Sequence, residues 1–260
     1  MRNLVSRVLT AVALLPPLLL LVLRGPSWAL FLVTLLAGGH ALREWWEMTG
    51  FPRGLFLLAV TGYFAAFFLA TRSLIGALWV LLAIPTLYFL LRFEKENFLV
   101  PFSLALAGLI YTFVGFWSLY RLSEAGRLSL LFLLTLIFAE DTAAYFGGRS
   151  FGRHPFFAAV SPKKTLEGYL CGVFAGTAAA FVLAVKTGLF PPGEALLLGL
   201  SLSVLAPAGD LLESMVKRAC GVKDSGRILP GHGGLLDRVD ALIFLAPLFR
   251  AYLEIRGGGP

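Results

Sequence analysis

The stretch LIGALWVLLAIPTLYFLL, Leu74 to Leu91, runs without a single charged residue. A helix needs roughly 20 mostly apolar residues to cross a bilayer, and this run nearly supplies them alone. It is apolar on every side and shows no alternation, which fits a helix in lipid and not a half-buried strand. Strands of a membrane barrel would alternate apolar and polar residues over about ten positions. Pro85 is compatible with a span, because neighbouring helices can re-satisfy the hydrogen bond it removes.

Reading outward, eight more apolar segments follow the same logic: Leu4–Leu23, Trp28–Leu42, Leu55–Ala70, Phe98–Tyr120, Leu128–Phe146, Leu166–Thr187, Ala195–Val216 and Leu235–Leu253. The 260-residue chain is 58% hydrophobic and 14% charged, with a mean hydropathy of +0.83. Soluble domains average about 25% charged residues, so an ordinary globular protein is excluded. The expected fold is an all-α polytopic membrane protein, a bundle of about nine transmembrane helices. Met1–Leu23 resembles a signal peptide, but no convincing small-residue cleavage site follows, so it reads as the first span. Cys171 and Cys220 are too few for a disulfide framework and read as small buried hydrophobes.

Charge sets the expected orientation. Lys and Arg near the ends of spans favour the cytoplasmic side. Fifteen of the 22 lie at the N-terminus and in the connections after spans two, four, six and eight, against 7 on the other side. The N-terminus and the two busiest connections are therefore expected in the cytoplasm. All five aspartates, by contrast, fall between Asp141 and Asp240. The five glutamates before residue 140 only flank spans. Residues 1–127 thus read as a transmembrane scaffold and residues 128–260 as the catalytic region.

Two polar stretches carry the chemistry. The first joins spans six and seven and contains Glu140-Asp141-Thr142, Tyr145, Gly147-Gly148-Arg149, Arg153, Lys163-Lys164-Thr165 and Glu167-Gly168. Asp141 and Tyr145 stand one helical turn apart and share a face. The glycines and the cations Arg149, Arg153, Lys163 and Lys164 suggest a flexible loop able to approach phosphates. The alternative for the same cations is that they serve only topology and contact with anionic headgroups.

The second stretch starts at the end of span eight with Asp210, Glu213, Ser214, Lys217 and Arg218. A glycine-rich loop with Lys223, Asp224, Arg227 and His232 follows, and span nine opens with Asp237-Arg238-Val239-Asp240. Asp210, Ser214, Lys217 and Arg218 recur at offsets of four, seven and eight, close to one helix face. Asp237 and Asp240 are one turn apart. Carboxylates near a membrane interior are costly and mark function. Asp210, Asp237 and Asp240 can converge across the hairpin and suit Mg²⁺, which takes one or two carboxylates plus substrate phosphates. Internal pairing of Asp237 and Asp240 with Lys217, Arg218 and Arg238 would account for those two equally well. There is no P-loop, no nucleophile elbow and no zinc-ligand spacing.

The run Ser214, Lys217-Arg218, Lys223-Asp224, Gly226, Leu229-Pro230, His232-Gly233-Gly234, Asp237-Arg238-Val239-Asp240 resembles the signature of phosphatidate cytidylyltransferases. The stretch from Asp141 to Gly168 is similar to that family's second block. Glu167 stands where some members carry Gln. The resemblance covers roughly residues 140–240. It implies transfer of CMP from CTP to phosphatidic acid, giving CDP-diacylglycerol and pyrophosphate in phospholipid biosynthesis. It further implies a cytoplasm-facing polar cavity in a membrane bundle, Mg²⁺, and a monovalent cation such as K⁺ beside it. CTP, phosphatidic acid, the bilayer and a second copy of the chain are the implied partners, with no nucleic acid.

Carried onto this chain, Asp210 and Asp237 would hold the metal, with Asp237, Asp240, Lys217 and Arg218 catalytic. Asp141, Arg149, Lys163, Lys164, Glu167, Ser214, Lys223, Asp224, His232 and Arg238 would bind substrate. The nearest rival is a lipid-alcohol kinase that uses CTP as its γ-phosphoryl donor. A secondary transporter fits poorly, since such folds show repeated halves and no repeat is visible here.

Overall fold

The computed structural model describes residues 16–51, 53–94, 98–228 and 233–257. Among them the secondary structure is helical, with one isolated bridge between Pro155 and Thr165. Helix α1 is described over residues 16–24. The remaining helices are α2 (Ser27–Thr49), α3 (Arg53–Leu69), α4 (Leu74–Leu91), α5 (Leu99–Ala125), α6 (Arg127–Phe151), α7 (Leu166–Thr187), α8 (Pro192–Ala219) and α9 (Leu236–Ile255). Each apolar segment read from the sequence corresponds to one of these, although residues 4–15 of the first segment lie outside the described part. Among the described residues five helices, α4 to α8, are long and apolar enough to cross a membrane. The molecule is an integral membrane protein.

Local chemistry sets the helix ends. Ser73 Oγ accepts from Gly76 N–H at 3.1 Å and Thr165 Oγ1 from Gly168 N–H at 3.2 Å, capping α4 and α7. Gly50 and Gly188 end α2 and α7 with φ of 70° and 69°, left-handed values that suit glycine. The aromatic side chains Tyr63, Phe67, Phe113 and Trp117 form the core between α3 and α5. Exposed apolar side chains such as Ile75, Trp79 and Phe174 cover the outer surface, as expected where the solvent is lipid.

The sequence reading took Gly147 and Gly148 as part of a flexible loop. Instead α6 runs on to Phe151 and contains both. Glycine weakens a helix locally, but here α7 lies against α6 so closely that side chains would not fit. A Cβ on Gly147 would meet Cys171 at 2.6 Å, and one on Gly168 would meet the Ala144 carbonyl at 2.7 Å. Gly172 and Gly176 continue this contact beside Glu140. Small residues that let helices approach are a recurrent device inside membranes. The connection from α6 to α7 is an ordered hairpin in which Phe156 N–H donates to the Lys164 carbonyl (2.8 Å) and Leu166 N–H to the His154 carbonyl (2.9 Å).

Candidate active site

The end of α6, the start of α7, the end of α8 and the start of α9 enclose a chamber of about 620 Å³. Four aspartates line it: Asp141 from α6, Asp210 from α8, and Asp237 and Asp240 from α9. Asp224 joins them from the loop before α9. Arg149, Lys163, Lys164, Lys217 and Arg238 line the same chamber. Acids and bases from two separate stretches of sequence therefore face one space. The contact between α8 and α9 makes this possible. A Cβ on Gly209 would sit 2.7 Å from the Asp240 carbonyl, so the glycine lets Asp210 stand directly beside α9.

Three of the chamber aspartates, Asp210, Asp237 and Asp240, are held by named contacts. Lys164 Nζ lies 2.5 Å from Asp210 Oδ2, while Ser214 Oγ donates to Asp210 Oδ1 at 3.0 Å. Lys217 Nζ donates to Asp237 Oδ1 at 2.5 Å. The other oxygen of Asp237 accepts from Ser225 N–H (2.8 Å), Ser225 Oγ (2.9 Å) and Gly234 N–H (2.8 Å). Charge-assisted contacts of this kind are about twice as strong as neutral ones. Asp240 Oδ1 accepts from Ala241 N–H at 2.7 Å, and Tyr111 of α5 donates to the Asp240 carbonyl at 3.2 Å. Among the described residues, no three His, Cys, Asp or Glu side chains form a ready-made metal cluster.

Several site residues expected from the sequence do not line the chamber. Arg218 donates to the Val222 carbonyl at 3.1 Å and ties down the end of α8. At 3.6 residues per turn its offset of eight turns it about 80° away from Asp210, whereas Lys217 is only about 20° off. Glu167 accepts from Arg153 N–H (3.0 Å) and His154 Nδ1 (2.6 Å), which fastens the base of the hairpin. Lys223 is exposed in the loop. Ser214 stands behind Asp210 rather than in the chamber wall. His232 lies outside the described residues.

Two glutamates that sequence reasoning passed over are part of this end of the bundle. Glu213, one turn from Lys217 on α8, is fully buried and pairs with Lys217 at 3.2 Å. Lys217 thus bridges Glu213 and Asp237. Glu44 of α2 is also buried and accepts from Leu235 N–H (2.8 Å) and Leu236 N–H (2.7 Å). The spacing of Glu213 from Lys217, an i,i+4 pair, was the signal available for the first.

This geometry defines a class: a polytopic membrane protein with an acid-walled, cation-rimmed chamber at one end, suited to polyanionic ligands. The comparisons with known proteins give the particular family. The chain matches the model of the cytidylyltransferase family over residues 5–256. It is 36% identical over 186 residues to a phosphatidate cytidylyltransferase of Staphylococcus saprophyticus, covering 71% of this chain and 70% of that protein. It is likewise 36% identical over 205 residues to a phosphatidate cytidylyltransferase of Helicobacter pylori, covering 75% and 74%. The chain belongs to the cytidylyltransferase family.

Proposed function

We propose that the protein is a phosphatidate cytidylyltransferase that transfers CMP from CTP to phosphatidic acid within the membrane. A phosphate oxygen of phosphatidate attacks the α-phosphorus of CTP. The bond from that phosphorus to the bridging oxygen of the β-phosphate breaks, and pyrophosphate leaves. The attacking oxygen is already anionic, so no strong general base is needed. The barrier arises mainly from bringing one anion against another, and catalysis rests on positioning and charge neutralisation.

The observation that carries this reading is the convergence of Asp210, Asp237 and Asp240 with Lys163, Lys164, Lys217, Arg149 and Arg238 in one chamber of a family member. The cations would bind the triphosphate and the lipid headgroup. Lys164 now neutralises Asp210; a change of side-chain rotamer would present it to a phosphate instead. Asp210 and Asp237 are the pair we assign to Mg²⁺. Two carboxylates suffice, because Mg²⁺ is usually held by one or two of them together with substrate phosphates. When bound, the ion would stabilise negative charge building up at the transferred phosphorus and leaving group. Lys217, fixed between Glu213 and Asp237, keeps Asp237 oriented. A monovalent cation such as K⁺ beside the Mg²⁺, and a homodimer, belong to the same proposal.

The excess of Lys and Arg in the connections at the chamber end supports a cytoplasmic opening in a cell (inner) membrane, where CTP is found. Residues 128–260 would then form the catalytic region and residues 1–127 its scaffold. The test is incubation of purified protein with phosphatidate and α-labelled CTP plus Mg²⁺, with and without chelator. Labelled lipid and pyrophosphate should appear in equal amounts and vanish with chelator. Labelled lipid in chelator, or no labelled lipid at all, would overturn the proposal.

A further inference from the structure

We propose that Glu44, in the half of the chain without the signature, is a positioning residue. Its carboxylate clamps the first turn of α9 and Ser225, and thereby fixes Asp237. The clamp stands on geometry alone; its effect on turnover rests on the cytidylyltransferase reading.

Glu44 is only 2% exposed. A carboxylate buried that deeply is costly unless it is paired and hydrogen-bonded. Its Oε1 accepts from Leu235 N–H at 2.8 Å and Oε2 from Leu236 N–H at 2.7 Å. Ser225 Oγ lies 3.2 Å from Oε2, and His40 Nε2 3.2 Å from Oε1. The first N–H groups of a helix have no partner within it, and negative charge is favoured there. Leu235, at the N-cap of α9, has no side chain that could cap it. Glu44 supplies that cap from a residue 191 positions away.

The same loop then holds Asp237, through Ser225 N–H, Ser225 Oγ and Gly234 N–H. Two glycines let the loop rest directly on Glu44. A Cβ on Gly226 would stand 2.5 Å from Glu44 Oε1, and one on Gly234 would stand 2.7 Å from Oε2. Glu47, one turn further along α2, is the contrast: it is exposed and pairs with Arg43 at 2.8 Å.

The test uses the full chain in phosphatidylcholine vesicles containing phosphatidate. Glu44→Gln keeps the shape but points an NH₂ group at a backbone donor. Before CTP is added, hydrogen exchange at Leu235 and Leu236 should rise about tenfold while the other helices keep wild-type protection. With CTP and Mg²⁺, kcat should fall about 100-fold, the scale of a small misplacement at a reacting centre, while the KM for CTP changes less than about threefold. Glu47→Gln should match wild type. Wild-type exchange at the two amides in folded Glu44→Gln, or a kcat within about twofold of wild type, would overturn the proposal. If Glu44→Gln fails to fold, Gly226→Ala keeps the charge but displaces the carboxylate, and the same two readouts are expected. Unchanged exchange and turnover in that variant would equally overturn it. If wild type itself labels no lipid, the activity reading fails, while the exchange measurement still decides the clamp.

Discussion

At the end of the bundle away from the chamber, charges are tied off locally. Glu194 accepts from Tyr252 and pairs with Arg256 at 2.7 Å, and Arg121 pairs with Glu124 at 2.6 Å. Arg127 donates to the Val22 carbonyl at 2.9 Å and to the Gly25 carbonyl, capping the end of α1. At the chamber end the ions also pair, but their side chains surround about 620 Å³ of space. A charge that caps a helix is spent where it stands. A charge on a chamber wall can be handed to a ligand, and that difference separates the two ends more sharply than their composition does.

Four substitutions would break or sharpen this contrast. The largest effect is expected for Asp237→Asn, which removes the negative charge facing Lys217 and with it a proposed metal-holding carboxylate. Transfer of CMP to lipid should drop about 100- to 1000-fold, the scale for losing one charge-stabilising group, with helix content and detergent extraction unchanged. Substantial activity would take Asp237 out of that role. Lys164→Ala comes next. The KM for CTP or phosphatidate should rise about tenfold, as for a lost charged hydrogen bond, and an unchanged KM for both would remove Lys164 from substrate capture.

The far end should answer differently. Arg127→Ala should cost about 2 kcal/mol of stability and lower the thermal midpoint by several degrees, with turnover at room temperature within about twofold of wild type. Glu194→Gln, which removes the carboxylate from a partly exposed pair with Arg256, should cost less than about 1 kcal/mol and leave turnover unchanged. A large loss of turnover in either would show that the two ends are coupled.

Most of the fold was legible in the sequence because lipid imposes a simple rule. A span must be apolar throughout, so segments such as Leu74–Leu91 and Leu166–Thr187 mark their own limits, and both recur as helices with those ends. The chamber residues were legible where their spacing is local: Asp237 and Asp240, or Asp141 and Tyr145, share a face by helix geometry alone. Contacts between distant elements were not legible. Glu44 looked like any acid flanking a span, since Ser225, Leu235 and Leu236, which it holds, lie 181 to 192 residues away. Gly147 and Gly148 read as loop because propensity is local, whereas their place in α6 is decided by α7 packing on them. Arg218 was grouped with Lys217 by a one-residue difference that rotates it out of the chamber.

The central claim is tested most directly by supplying phosphatidate and Mg²⁺ with CTP labelled at either the α- or the γ-phosphate, and separating the lipids. The account predicts label in the lipid from the α-position only. Lipid carrying the γ-label would contradict it and point to a phosphoryl-transferring kinase instead.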